Sequence, residues 1–323
     1  MSKPFRFGCQ EFAPESASQW RDAARRAEDL GYGTFSLADH YIGPGSALDE
    51  AAHPVQTVAA IPAMMAAADA TSTIKIGCRV LCVDYHHPVV LAKELATIDL
   101  LSDGRLEAGF GAGWITSEYG AMGIDMDRPG IRIERLEEVV GLARAFFAGA
   151  DLDIDGTHVT AKGFTAVPAA VQEGGPRVMI GGGSPRVLGL AGRVADIVSV
   201  NFDNSAGKIG GKGLASGTAE GTAAKIEWIR EGAGDRFADL ELEIAAYFTT
   251  VTDQTQATLE MMAPAFGFEP AQMAAHPHSL IGSVDEICET LQARREQYGI
   301  SYVTVTGDQT EAFAPVVARL AGT

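Results

Sequence analysis

The chain has 323 residues, of which 25 are Lys or Arg and 42 are Asp or Glu, for a formal net charge of −17. That charge argues against unaided binding to nucleic acid or to an anionic membrane, since both need basic surface. With 46% hydrophobic and 21% charged residues, the balance is that of a folded globular protein rather than a disordered one.

Cys9, Cys78, Cys82 and Cys288 are scattered without a C-x-x-C pair, as expected of buried free thiols. Residues 1–6 lack the apolar core of a signal sequence. The most apolar stretch, residues 59–68, holds Pro62 and is too short to span a bilayer. A cytoplasmic protein acting on a small molecule, with no nucleic-acid or membrane partner, is the expectation.

Short apolar runs alternate with amphipathic segments along the whole chain. A first strand is predicted at residues 5–10. Ser16 or Ser18 then caps a helix whose small or apolar positions Trp20, Ala23, Ala24, Ala27 and Leu30 recur with the 3.6-residue period before Gly31 ends it. Further strands are predicted at 34–40, 74–82, 105–113, 177–183, 196–202, 240–251 and 301–307. The intervening helices fall at 55–70, 89–101, 133–147, 185–192 and 219–231, with a closing helix at 312–320. Eight strands followed by helical material at this length fit a single-domain (β/α)8 TIM barrel covering residues 1–323, with a doubly wound sheet as the other arrangement of the same units. Two insertions break the rhythm. Residues 151–175, after strand four, read as a small β excursion, and residues 204–221, after strand six, as a mobile loop and candidate lid.

Three strand ends carry chemistry. Asp39-His40 closes strand two, where an imidazole can move a proton or bind a polar ring. At the end of strand four, Gly109, Gly111 and Gly113 alternate with Phe110 and Ala112 and lead into Trp114, Glu118 and Tyr119; glycines there admit a ligand close to the backbone. Strand five runs into Gly181-Gly-Gly-Ser184, with Pro185 opening a helix. This junction is either an anion site supplemented by Arg186 or a tight turn without a ligand. The stretch Gly207–Gly213 has the wrong spacing for a phosphate loop. His86-His87 and His276-Pro-His278 lack a ligand set for a metal, so none is expected.

Taken together, Leu37-Ala-Asp-His40, Ile76-Gly-Cys-Arg-Val-Leu-Cys82, residues 101–114, residues 177–186, residues 190–198 and Ile281-Gly-Ser-Val-Asp-Glu286 resemble the bacterial luciferase-like oxidoreductases, especially the branch that uses the deazaflavin coenzyme F420. The resemblance implies a TIM barrel with the tricyclic ring at the carboxyl ends of the strands. It implies ring contacts from Asp39 and His40, and a non-proline cis bond at Arg79–Val80, next to Cys78, behind the ring. Gly111, Ala112, Gly113 and Trp114 would meet the ring and ribityl chain, and Gly181, Gly182, Gly183 and Ser184 the phosphate. Hydride transfer between the deazaflavin C5 and a small organic substrate follows, with His40 and Glu118 as the proton-handling candidates. FMN with monooxygenase chemistry is the alternative cofactor, a non-catalytic flavin-binding homologue a further alternative, and a homodimer the assembly the resemblance suggests.

Overall fold

A computed structural model of the chain describes residues 3–323. Eight parallel strands form its centre: β1 (Arg6–Gln10), β2 (Thr34–Leu37), β3 (Lys75–Cys78), β4 (Leu106–Gly111), β5 (Arg177–Gly182), β6 (Ile197–Val200), β7 (Glu241–Ala246) and β8 (Ile300–Thr306). Each pairs with its neighbour in sequence, and β8 returns to β1 through Arg6↔Tyr302, so the sheet closes into a barrel. The predicted (β/α)8 architecture is the observed one.

The helices follow from local signals. In α1 (Ala17–Asp29), Ser16 is the cap, its hydroxyl accepting from Gln19 N–H at 3.1 Å, while Trp20, Ala24 and Ala27 are buried. Next come α2 (Ala60–Ala70), α3 (Pro88–Leu101), α4 (Pro129–Phe147), α5 (Pro185–Val194) and α6 (Ala219–Ala233). Proline at the start of α3, α4 and α5 occupies the first helical turn, where no N–H is required. The chain ends with α7 (Val284–Tyr298) and α8 (Thr310–Leu320). Helix α7 was not among the predicted helices, although Ser283 and Glu286 form a reciprocal capping box and Gly299 ends the helix at φ 75°. Its outer face is so charged that the buried stripe reduces to Ile287, Cys288, Leu291 and Tyr298, which weakens the periodic signal. Ser283→Ala should lower unfolding stability by about 1 kcal/mol in a urea titration.

Three excursions leave the barrel. The segment after α4 is an antiparallel hairpin, Asp151–Asp155 against Thr160–Thr165, as expected. Residues 203–217 are an ordered arch rather than a free loop: Thr116 N–H donates to Gly207 O, and Ile209 N–H to Ala51 O. The buried Lys225 ammonium of α6 staples that arch by donating to Asn201 O and Ser216 O at 2.7 and 2.8 Å. The third excursion corrects the expected single strand at 240–251. The chain leaves the barrel at Tyr247, and Phe248–Val251 pairs instead with Ser279–Gly282. These strands and two short helices enclose a satellite core of Phe202, Phe248, Leu259, Ala263 and Met273.

The barrel interior is more polar than continuous apolar strands would give. Arg6 pairs with Glu107 at 2.6 Å and Glu241 at 2.9 Å, and Tyr302 donates to Glu107 at 3.1 Å. Met179, Ile197 and Tyr302 form a separate small apolar cluster, with Val80 against them. Outside the strands, one continuous hydrophobic core joins barrel and helices.

Candidate active site

At the carboxyl ends of the strands lies a cavity of about 460 Å³. Asp39, His40, Arg79, Val80, Gly111, Ala112, Gly113 and Trp114 line it, together with Gly181, Gly182, Gly183 and Ser184. These twelve, brought together from four strand ends, are all residues singled out in the sequence. The remaining two candidates stand behind the wall: Cys78 is buried at the end of β3, and Glu118 is fully buried on the short helix Thr116–Met122.

Glu118 nevertheless organises the site. One carboxylate oxygen meets His40 Nδ1 at 2.7 Å and the Tyr85 hydroxyl at 3.2 Å, and the other accepts Tyr41 N–H at 2.7 Å. Burial pushes its pKa up, but the hydrogen bonds from His40, Tyr41 and Tyr85 outweigh burial and hold it below the ordinary carboxylate value. An ionised carboxylate only accepts, so His40 Nδ1 carries the proton of that bond and Nε2 is the ring nitrogen left for a ligand. Glu118→Gln keeps the shape but sets an NH2 group against one of three donors. It should reduce turnover about tenfold or more, read by steady-state kinetics.

Asp39 braces the other side of the same loop. Its Oδ2 accepts from Cys82 N–H at 2.9 Å and lies 2.8 Å from His86 Nε2. One member of the His86-His87 pair is thus a support for Asp39, while His276 and His278 sit in the satellite core. Among the described residues, no group of three or more His, Cys, Asp and Glu side chains is placed to hold a metal ion.

Between Asp39 and the glycine turn, the peptide Arg79–Val80 is cis. Val80 projects inward, and a Cβ on Gly111 or Gly181 would come within 2.6 or 3.3 Å of its methyls. The alternating glycines therefore make room for Val80 as well as for a ligand. A Cβ on Gly183 would overlap the Phe202 carbonyl, so the turn is also fixed by packing. Gly113, at φ 71°, sits where a Cβ would strike the Tyr119 hydroxyl. Arg186 does not supplement the turn, as the sequence suggested. It is half exposed and ion-paired with Glu134 at 2.6 Å. The guanidiniums bordering the cavity belong to Arg79, Arg128 and Arg132, the last donating to Ala112 O and Gly113 O.

Sequence reasoning missed several contributors. His53 packs its ring on His40, with centroids 4.1 Å apart, and burial and the neighbouring His40 push its pKa down to about 4. Ser199, Asn201 and Phe202 come from the end of β6, and residues 203–205 and 207 from the arch. The inward alternation along β6 could have flagged Ser199. Nothing local flags His53, which reaches the site through a long loop.

The family model described as luciferase-like monooxygenase matches residues 1–303, and the chain belongs to that family. Among curated relatives, the F420-dependent glucose-6-phosphate dehydrogenase of Nocardia farcinica is 31% identical over 195 residues, covering 59% of this chain and 54% of that protein. The protein of the same description from Rhodococcus erythropolis is 34% identical over 136 residues, covering 41% and 40%. The matched segments span 40% to 56% of the length of the relatives so described. In fold, the chain resembles the coenzyme F420-dependent tetrahydromethanopterin reductase of Methanopyrus kandleri at TM-score 0.75 and 18% identity, covering 98% of each chain. It resembles a long-chain alkane monooxygenase at TM-score 0.76 and 14% identity, covering 99% of this chain and 92% of that one. Among the described residues no helix is long and apolar enough to cross a membrane.

Proposed function

We propose that this chain is a coenzyme F420-dependent oxidoreductase that moves a hydride between the deazaflavin C5 and a small organic substrate. The observation that carries the reading is His40, fixed through Nδ1 to a buried carboxylate and left with Nε2 free at a cavity walled by Trp114 and glycine backbone. Family membership and the curated descriptions of relatives as F420-dependent dehydrogenases support it.

The residues fit a planar, polar-edged ring. Asp39 Oδ1, Arg79 Nη2 and Ser199 Oγ are buried without hydrogen-bond partners, and all three residues border the cavity. Buried polar groups in native proteins are rarely left unpaired, so such a cluster marks where a ligand's polar edge belongs. Val80 supplies an apolar backstop, and the amides at Gly182–Ser184, at the start of α5, suit a phosphate.

When bound, a deazaflavin supplies a two-electron hydride carrier. The chain's own part is to orient the partners and manage one proton. His40 Nε2 takes it from, or returns it to, the substrate's reacting oxygen, while Glu118 stabilises the imidazolium that forms. The covering arch keeps water from that exchange. The test is a fluorescence titration with each cofactor. Coenzyme F420 should bind about tenfold or more tightly than FMN, whereas tighter FMN binding would move the assignment to a flavin-dependent monooxygenase.

A further inference from the structure

Arg79 poses a problem that the reaction above leaves unsolved. Its guanidinium is nine-tenths buried at the floor of the cavity, where a charge is costly unless fully paired. Nε donates to Glu243 at 3.0 Å, and Nη1 reaches Gln10 Oε1 at 3.2 Å and the Tyr247 hydroxyl at 3.4 Å, but Nη2 has no partner. Register sets Ser199 beside both Glu243 and Gly181, and its hydroxyl is fully buried and likewise unpartnered. Two unpaired donors, from Arg79 just after β3 and Ser199 on β6, thus border one cavity, whereas Glu243, whose Oε2 is also unpartnered, is not among the residues lining it.

We infer that Arg79 and Ser199 together recognise a carbonyl oxygen of the bound ligand, which makes Arg79 a specificity-determining residue of the site proposed above. The acceptor is neutral rather than a carboxylate because Glu243 already balances the guanidinium. A second anion would leave this buried group with an uncompensated negative charge close to Asp39. An oxygen with two lone pairs satisfies both donors, and a hydrocarbon edge satisfies neither. A planar cofactor ring and a ketone substrate both present such an oxygen, so the inference rests on the cavity being the redox site.

The experiment compares wild-type protein with Arg79→Met, Arg79→Lys and Ser199→Ala, each first checked for native circular dichroism and cooperative unfolding. Coenzyme F420 and FMN are titrated separately by fluorescence. Acetone and cyclohexanone are then titrated into the complex with the tighter cofactor. A loss of about tenfold or more in Arg79→Met, partly restored in Arg79→Lys and matched by a smaller loss in Ser199→Ala, supports the inference. A loss in the cofactor arm assigns the oxygen to the ring, and a loss in the ketone arm alone assigns it to the substrate. Should Arg79→Met fail to fold, Ser199→Ala and Arg79→Lys carry the same decision. Unchanged affinity for both classes of ligand in folded variants overturns the inference while leaving the cofactor assignment intact. Wild-type protein that binds neither cofactor overturns both.

Discussion

Replacing His40 with Ala should lower the rate of hydride transfer by about a hundredfold or more, while cofactor affinity changes by less than about tenfold. The asymmetry follows from the geometry. His40 is one of a dozen candidate residues around the cavity, so its ring is a small part of the binding surface. Among the residues lining the cavity, it alone presents an imidazole nitrogen whose partner nitrogen is fixed on a buried carboxylate at 2.7 Å. Removing it also leaves Glu118 with only Tyr41 N–H and Tyr85 as donors. Single-turnover kinetics, followed through the deazaflavin absorbance, separates rate from affinity. A pure affinity loss with the rate retained would make His40 a binding residue and leave the proton to another group.

Folding stability should fall steeply as the pH drops from about 6.5 toward 4, through His276 and His278. Both imidazoles are buried in the satellite core against Phe202. His278 Nδ1 donates to Ala245 O at 2.7 Å, and His276 Nδ1 accepts the His278 backbone N–H at 3.2 Å. Burial pushes His276 down to about 4 and His278 well below its ordinary value, and the neighbouring cations Arg294, Lys225 and Arg79 act in the same direction. In this window the unfolded chain binds protons at His276, at His278 and also at His53 that the folded chain refuses, so stability declines as pH falls. His276 and His278 together contribute a slope of about 2.7 kcal/mol per pH unit once the unfolded histidines are protonated, and His53 adds about half as much again. Urea unfolding at several pH values reads it directly. His278→Phe, which keeps an aromatic ring beside Tyr247 and Phe202, should remove about a third of the total slope; an unchanged slope would place the acid sensitivity elsewhere.

Much of the barrel was legible because its signals are local. Ser16, Gly31 and Pro185 punctuate the helices, and the glycines at 109–113 and 181–183 mark the strand ends that form the mouth. What escaped depends on contacts between distant residues. Arg6, Glu107, Glu241 and Glu243 look like surface charges on the strands, yet they face inward because partners lie across the barrel. The break at Tyr247 is invisible in an unbroken apolar run and is set by pairing with Ser279–Gly282. At the site, Asp39, His40 and Glu118 were all singled out. That Glu118 acts on His40 from behind, while His86 and Cys82 hold Asp39, follows only from packing that joins four separate segments. Arg186 shows the converse: a charge beside the right turn in sequence is drawn outward by Glu134.

The most direct test of the central claim is a crystal structure of the protein soaked at saturating coenzyme F420. The account predicts the tricyclic ring against Val80 and His40, with the phosphate on the amides of Gly182–Ser184. A ring bound elsewhere, or a mouth still empty at that concentration, would contradict it.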